Sequence, residues 1–327
     1  MPEAAAGLSG MDPKSYGLCL ALRCAPEVSD MIAAFAPGAI ERGSQANLLL
    51  RFRTGALADA LHADPAWGVS GYLAQRQPVS VRTPKGRRYF DPVTRTLAML
   101  EGDSGTLVIE DPEALPPWVR AAPGLRVIDW WATANGMLAT HACAVVIGGK
   151  AILCVGPSGS GKSTLAVDAA LHGYGFIGDD YVLVDPTSMP GGVYVHPLYR
   201  SAKLMPARLP AGLDALPWLP ADDREDKHVY LLPESQCHGS AQIVAVVAPH
   251  IARAAFPELR EVRGSDIVRH AAPSILKQLS GDEPQKLAAL ARIAGALPCH
   301  TLALADDGRR NLAALEALVT RLTAANA

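Results

Sequence analysis

The densest chemical signal in the 327-residue sequence is a glycine-rich stretch in its middle. Residues 156–164 match the pattern Gly-x4-Gly-Lys-Ser/Thr in full. Glycines let successive backbone N–H groups surround a phosphate, and a following helix turns its positive end toward the anion. Lys162 would reach the β- and γ-phosphates, and the Ser163 hydroxyl would ligate Mg²⁺. The motif predicts an ATP and Mg²⁺ site with these nucleotide contacts: Gly156, Ser158, Gly159, Ser160, Gly161, Lys162, Ser163 and Thr164.

A pair of adjacent carboxylates, Asp179 and Asp180, follows the loop. After one helix the chain is expected to return to the sheet next to the loop strand, where ligands bind at the carboxyl ends of strands. One carboxylate could hold Mg²⁺ while the other accepts the proton of an attacking hydroxyl, and the residues alone do not say which does which. Asp185 is a rival metal ligand. Because Pro186 follows it at once, we favour Asp180 as the metal ligand beside Ser163.

A histidine before the loop is predicted to lie near it in space. Gly148-Gly149 suits a two-residue hairpin turn, because both positions accept positive φ. With that turn, the cross-strand register places His141 opposite Gly156, at the entrance of the loop. A structural histidine that fills the end of the sheet is the alternative.

Two cations further along the chain are candidates for the transferring phosphate. A loose, charge-rich transition state needs fixed positive groups around its oxygens, and Arg200 and Lys203 follow the aspartates. Lys227 and Arg263 are weaker candidates. A chance position in a surface loop is the alternative for all four.

The elements that would position these residues are read from periodicity and turn residues. Strand, glycine loop, helix and strand (143–147 and 151–155, the loop, 163–172, 175–178 and 181–184) are typical of an α/β fold. Near the end, 286–297 and 310–323 are predicted core helices. The first part carries short β-like segments, at 18–22, 47–52, 79–82, 88–90, 97–100 and 106–109. A proline-rich stretch, 112–123, predicts a boundary between a smaller β-rich domain, 1–124, and a catalytic domain, 125–327.

Composition limits the classes of protein. With 30 Lys+Arg against 32 Asp+Glu and 49% apolar residues, we expect a folded chain that binds neither nucleic acid nor membrane. One basic run, 82–88, is predicted to be a solvated hairpin tip. Six cysteines without Cys-x-x-Cys spacing, and an N-terminus without an apolar run, favour the cytoplasm.

The motif set resembles the catalytic domain of HPr kinase/phosphorylase, a P-loop kinase group related in fold to phosphoenolpyruvate carboxykinase. The resemblance rests on His141, the loop and residues 173–180, where Tyr174 stands in place of a second histidine. It implies that Asp179 is the base for a serine hydroxyl, His141 its electrostatic neighbour and Asp180 an acid near the metal. A homo-oligomer is a further implication.

The chain departs from that family after the aspartates. The family's Glu-[Ile/Val]-Arg-Gly-x-Gly element is absent, and the corresponding zone, 196–204, contains no glutamate. The variant, with its β-rich first part opening on Tyr16-Gly17-Leu18, is more similar to the HPr-kinase-like tailoring enzymes of peptide gene clusters, some of which phosphorylate a serine of a lasso-peptide precursor. This implies an ATP-dependent serine kinase acting on such a peptide, with residues 1–124 in substrate recognition. The alternatives are HPr itself, a small-molecule hydroxyl, and a P-loop ATPase that regulates a partner.

Overall fold

The chain folds as a mixed α/β protein with two large sheets in a computed structural model. The structure describes residues 18–40, 46–62, 77–186, 192–210, 212–213, 217–221 and 226–324. Tyr16 and Gly17 lie outside the described residues. No helix in these ranges is long and apolar enough to span a membrane.

The first sheet has six strands and confirms each β-like segment predicted before residue 110. Its strands stand in the order β1-β2-β6-β5-β4-β3, and β3 to β6 form an antiparallel meander. The short helix α1 (Leu57–His62) follows β2. The strands are β1 (Leu20–Cys24), β2 (Leu48–Thr54), β3 (Val79–Thr83), β4 (Gly86–Asp91), β5 (Thr96–Glu101) and β6 (Ser104–Ile109).

The second sheet has nine strands and carries the glycine-rich loop. Its main path is β10-β8-β9-β15-β12-β11-β7, and β17 joins β15 with β16 at its outer edge. A separate pair is formed by β13 and β14. The strands are β7 (Leu138–Thr140), β8 (Ala142–Ile147), β9 (Lys150–Val155), β10 (Gly175–Gly178), β11 (Val182–Asp185), β12 (Tyr194–His196), β13 (Ser201–Leu204), β14 (His228–Leu231), β15 (Ala241–Ala254), β16 (Glu258–Glu261) and β17 (Cys299–Ala305).

Helices cover both faces of this sheet, because its central strands alternate buried apolar residues to two sides. On β9, Leu153 packs with one pair of helices, α5 (Gly264–Gln278) and α6 (Glu283–Ala296). Cys154 packs with the other pair, α4 (Lys162–Leu171) and α7 (Gly308–Ala324). The predicted helical stripe on α7 is confirmed as core, with these members buried: Leu312, Leu315, Leu318 and Val319.

One apolar cluster joins the first sheet to the second, where Ala139 of β7 and Leu183 of β11 contribute to it. Two further helices, α2 (Pro117–Ala121) and α3 (Leu125–Ala134), follow the first sheet. Trp130 and Trp131 of α3 are buried in a cluster that includes residues of the first sheet together with Tyr181 and Tyr199. The boundary near residue 124 stays a prediction.

The basic run at 82–88 is a hairpin tip, as predicted, but it is not simply solvated. Arg82 and Arg87 both form ion pairs with Asp282, at the start of α6. Close by, Lys286 Nζ lies 2.7 Å from Asp129 Oδ2, and both side chains are fully buried. These ion pairs tie the first sheet and α3 to α6.

Candidate functional site

The hairpin before the loop has the predicted register. Residues Gly148 and Gly149 have φ of 56° and 75°, and Ala142 pairs with Val155. His141 is the next residue back from Ala142, so it lies beside Gly156. The turn glycines thereby place a histidine at the mouth of the loop.

One prediction about this neighbourhood is wrong: the strand before the aspartates does not lie next to the loop strand. β10 pairs with β8, so that β8 lies between β9 and β10. Because β8 is antiparallel to both neighbours, β9 and β10 end at the same edge of the sheet. His141, at the start of β8, therefore lies between the loop and the aspartates.

The chain is interrupted at the same level of the sheet in two places, between β7 and β8 and between β10 and β11. Thr140 pairs with Val182 on one side of the interruption and Ala144 pairs with Gly178 on the other. The gap in one strand contains His141, and the gap in the other contains Asp179 and Asp180. The interruption frees these side chains from regular alternation and lets them face each other.

Asp180 adopts a left-handed conformation, with φ of 64°. The turn is closed by the Tyr181 N–H, which donates to Asp179 O at 2.7 Å. A non-glycine residue held there costs about 1–3 kcal/mol, although aspartate tolerates the region better than most residues. This conformation directs the carboxylate toward two partners: His141 Nε2, 3.2 Å from Oδ1, and Lys203 Nζ, 2.9 Å from Oδ2.

These partners keep Asp180 ionised. Burial pushes the pKa of Asp180 upward, but the charge of Lys203 and the hydrogen bond and charge of His141 hold it well below its ordinary value. An ionised carboxylate only accepts hydrogen bonds, so His141 donates from Nε2.

Asp179 lies in a different environment, with 1% of its surface exposed. Its Oδ2 accepts the Lys203 backbone N–H at 3.2 Å, while its Oδ1 meets no donor at bonding distance in the described part of the chain. Burial raises the pKa of Asp179 and the neighbouring Asp180 raises it further, whereas the Ser163 hydroxyl and main-chain donors oppose the rise. Asp179 is thus buried on the Ser163 side of the site and outside the reach of solvent.

The loop itself runs from β9 into α4 with glycines at its left-handed positions. Gly156, Gly159 and Gly161 have φ of 144°, 82° and 101°. A Cβ at residue 161 would overlap the Leu304 side chain. Lys162 is buried and folds back, donating from Nζ to Gly156 O at 2.8 Å and Pro157 O at 2.9 Å. Burial lowers the pKa of Lys162, and nearby acidic groups oppose that fall.

A small cavity of about 80 Å³ joins the loop to the acid and histidine, and we call it the phosphate cavity. Three lysines and one carboxylate face it, which makes it cationic overall and suited to a phosphate group. Lys227, a weak candidate from sequence, is among them, with Nζ 3.4 Å from Ser158 Oγ. The phosphate cavity is lined by these residues: His141, Ser158, Gly159, Gly161, Lys162, Ser163, Thr164, Asp180, Lys203, Leu204, Met205, Lys227 and Ile251.

Six of the sequence candidates lie outside this lining: Gly156, Ser160, Asp179, Asp185, Arg200 and Arg263. Arg200 bonds main-chain carbonyls instead, with Nε 2.8 Å from Ala33 O and Nη1 2.8 Å from Leu232 O. Arg263 is exposed at the start of α5, and Asp185 is buried at the end of β11. Ser160 is buried in the loop, and its Oγ finds no partner within the described residues. Of the two predicted cations, the structure brings only Lys203 to the loop.

The oxygen atoms around the loop fit a magnesium ion that arrives with its nucleotide. Mg²⁺ is usually held by one or two carboxylates, water and substrate phosphates. Ser163 and Asp180 line the cavity, and the buried carboxylate of Asp179 lies within reach of the Ser163 hydroxyl. Within the described ranges no three His, Cys, Asp or Glu residues form a cluster that could hold a metal by themselves.

A larger cavity of about 620 Å³ adjoins the phosphate cavity on the loop side, and we call it the donor cavity. It shares Gly161, Thr164 and Ile251 with the phosphate cavity. Leu304 and Arg309 are among its other walls. Its volume lies within the range of about 300–1,000 Å³ typical of small-molecule sites.

No protein-family model matches this sequence, and no curated protein matches it. Among solved structures, the chain is similar to the Hpr(Ser) kinase/phosphatase from Coxiella burnetii, at 12% sequence identity and a TM-score of 0.32. The match covers 57% of this chain and 97% of that chain.

Proposed function

We propose that this protein is a kinase that transfers the γ-phosphoryl group of ATP, with Mg²⁺, to a serine hydroxyl of a peptide or protein. The observation that carries the proposal is that Asp180, Lys203 and His141 line the same small cavity as Lys162 and Ser163. A phosphate-binding loop alone would serve an ATPase equally well. A carboxylate held by a lysine and a histidine at that loop suits an organic hydroxyl.

The nucleotide is proposed to lie across the donor and phosphate cavities. Its base and ribose would occupy the donor cavity, and its phosphates would meet the loop N–H groups and Lys162. Lys162 would exchange the carbonyls of Gly156 and Pro157 for phosphate oxygens. Mg²⁺, held by Ser163 and a nearby carboxylate, would offset charge on the β- and γ-phosphates.

The family resemblance implies that Asp179 is the base and that Asp180 lies near the metal, and the geometry supports the reverse assignment. Asp180 lines the cavity and is positioned to accept the hydrogen bond of an incoming hydroxyl, whereas Asp179 is buried toward Ser163 and suits the metal side. The transition state of phosphoryl transfer is loose, so an ionised carboxylate of low pKa can orient the hydroxyl without removing its proton early.

In the transfer step, the serine oxygen forms a bond to the γ-phosphorus as the bond from that phosphorus to the β–γ bridging oxygen breaks. The hydroxyl proton passes to Asp180 and then to solvent, and ADP leaves. Lys203 and Lys227 would stabilise charge on the transferred group.

The molecule that accepts the phosphoryl group is a separate part of the proposal. The family resemblance makes the serine of a lasso-peptide precursor the first acceptor to test, followed by HPr and free serine. A regulatory ATPase is disfavoured, because the described lining of the phosphate cavity contains neither Glu nor Gln to orient a water.

The test is mass spectrometry of each acceptor after incubation with ATP, Mg²⁺ and the protein. We expect one acceptor to gain a phosphoryl group, and the gain to disappear with Asp180→Asn. ADP release without modification of any acceptor, unchanged in Asp180→Asn, would contradict the kinase assignment.

A further inference from the structure

A third cavity of about 580 Å³ has no part in the mechanism so far. We call it the cleft, because it lies between the first sheet and the half of the chain that carries the loop. The first sheet contributes Tyr89 and Thr96, helices α2 and α3 contribute Trp118 and Arg126, and the loop-bearing half contributes Tyr181 and Lys203. Its volume is again that of a ligand site.

The cleft meets the phosphate cavity at one residue. Lys203 lines both, and its Nζ holds Asp180 Oδ2 at 2.9 Å. Tyr181, next to Asp180 in the chain, forms part of the same wall and donates its hydroxyl to Gln278 Oε1 at 2.7 Å. The donor cavity shares three residues with the phosphate cavity and none with the cleft. The donor cavity and the cleft therefore adjoin the phosphate cavity through different residues, and Lys203 is the one on the cleft side.

The chemistry of the cleft combines aromatic walls with one available cation. Tyr89 and Trp118 supply flat apolar surface. The Arg126 guanidinium lies 4.6 Å above the Tyr89 ring and donates Nη1 to Ser280 O at 2.7 Å. It also hydrogen-bonds the Tyr89 side chain, and its charge acts on Asp129, but it forms no ion pair with any carboxylate of the described residues. A guanidinium without such a partner is suited to a ligand carboxylate.

Three other polar residues of the cleft bond to each other or to the main chain. Thr94 and Thr96 share a hydrogen bond of 2.9 Å. Asp91 Oδ1 accepts the backbone N–H groups of Val93 and Thr94 at 2.9 and 3.3 Å. Arg126 is thus the cleft residue best able to choose a ligand by charge.

We propose that the cleft is the acceptor site and binds a peptide segment that places a serine hydroxyl at Asp180. An apolar side chain of that peptide packs on Trp118, and the C-terminal carboxylate of the peptide pairs with Arg126. This inference rests on the proposed kinase function and gives the first sheet its role in substrate recognition.

The test measures binding separately from phosphoryl transfer. The probes are short synthetic peptides with one serine and one leucine or phenylalanine, each made with a free C-terminal carboxylate and with an amide. Affinities are measured by calorimetry without nucleotide, for the wild type, Trp118→Ala, Trp118→Phe, Arg126→Gln and Arg269→Gln. Arg269, an exposed arginine that pairs with Asp266 on α5, is the matched control.

We expect the carboxylate peptides to bind the wild type, and Trp118→Ala to weaken binding by about tenfold or more. Trp118→Phe should retain most of the affinity, and Arg126→Gln keeps the test valid if Trp118→Ala does not fold. Arg126→Gln should weaken the carboxylate peptide by about tenfold while leaving the amide peptide almost unchanged. Arg269→Gln should bind like the wild type.

The outcomes separate the two proposals. If no peptide binds, or if binding ignores Trp118 and Arg126, the cleft is not a peptide site and the inference is wrong, even if free serine is phosphorylated. If peptides bind through Trp118 and Arg126 but gain no phosphoryl group with ATP and Mg²⁺, the cleft is supported as a peptide site and the kinase function is wrong.

Discussion

His141 Nε2 lies 3.2 Å from Asp180 Oδ1, although the two residues are 39 positions apart in the chain. The contact exists because two strand interruptions face each other, one before β8 and one between β10 and β11. Lys203 holds the other oxygen of the same carboxylate. Asp180 is thus fixed on two sides at the end of the glycine-rich loop, where a phosphate would lie.

Asp180→Asn should lower phosphoryl transfer by about 100-fold or more, because the amide accepts a hydroxyl proton poorly, while ATP affinity stays nearly unchanged. Asp179→Asn should instead raise the Mg²⁺ concentration needed for half-maximal rate, with a smaller loss at saturating Mg²⁺. Initial rates over a Mg²⁺ titration measure both. An inactive Asp179→Asn beside an active Asp180→Asn would restore the opposite assignment.

Lys162→Ala should remove most ATP binding, because the phosphate loses its buried cation. The matched control is Lys150→Ala, since Lys150 lies on the same hairpin but bonds Gln242. A ligand that binds the folded state raises the midpoint of thermal unfolding. ATP should therefore raise it for the wild type and Lys150→Ala and leave Lys162→Ala unaffected, and an equal rise in all three would refute the role of Lys162.

Lys203→Met should move the acid limb of the rate profile to higher pH. The pKa of Asp180 is held well below its ordinary value by Lys203 and His141 against the effect of burial, so it rises when the lysine charge is removed. A folded-state pKa below the unfolded value stabilises the protein above the unfolded pKa, and this stability is lost as pH falls through the folded pKa. Acid unfolding should consequently begin at higher pH in Lys203→Met. Identical acid limbs would show that Lys203 does not set the ionisation of Asp180.

Gly161→Ala should destabilise the loop and weaken nucleotide binding. A Cβ at this position combines φ of 101° with an overlap on Leu304. Gly136→Ala is the control, because φ is 76° there but no atom lies within 4 Å of the added Cβ. The control should lose only about 1–2 kcal/mol of unfolding free energy and keep its ATP affinity. Equal effects in denaturant titrations and binding would mean that the contact with Leu304 is unimportant.

The buried ion pair beneath α3 should affect stability rather than catalysis. Lys286→Ala leaves Asp129 buried without its partner and should cost about 3–5 kcal/mol at neutral pH, measured by denaturant unfolding. Burial raises the pKa of Asp129 to about 6, although Lys286 opposes the rise. The ordinary pKa of this carboxyl is 3.8. The contribution of the Asp129 proton to stability is therefore complete below pH 3.8 and is lost as the pH rises through about 6.

Asp129→Asn combined with Lys286→Met removes both charges. The unfolding free energy of the wild type minus that of this double variant should fall as the pH rises from 3.8 to about 6. A constant difference would contradict the raised pKa of Asp129.

The parts that the sequence determined by itself are local ones. The glycine pattern at 156–161, the Gly148-Gly149 turn and the apolar periodicity of α7 each depend on residues a few positions apart. Turn conformation sets the register of a hairpin, so the position of His141 beside the loop followed without any knowledge of the fold.

Only the tertiary structure decided which long-range partners meet. Arg200 and Lys203 are equally good cations in sequence, but main-chain carbonyls bind Arg200 while Lys203 reaches Asp180. The environments of Asp179 and Asp180 differ because one left-handed residue in a tight turn sends the two carboxylates into different surroundings. The cleft, too, exists only where the first sheet packs near Lys203. Such relationships depend on packing and backbone conformation between distant segments, which residue types and spacing do not encode locally.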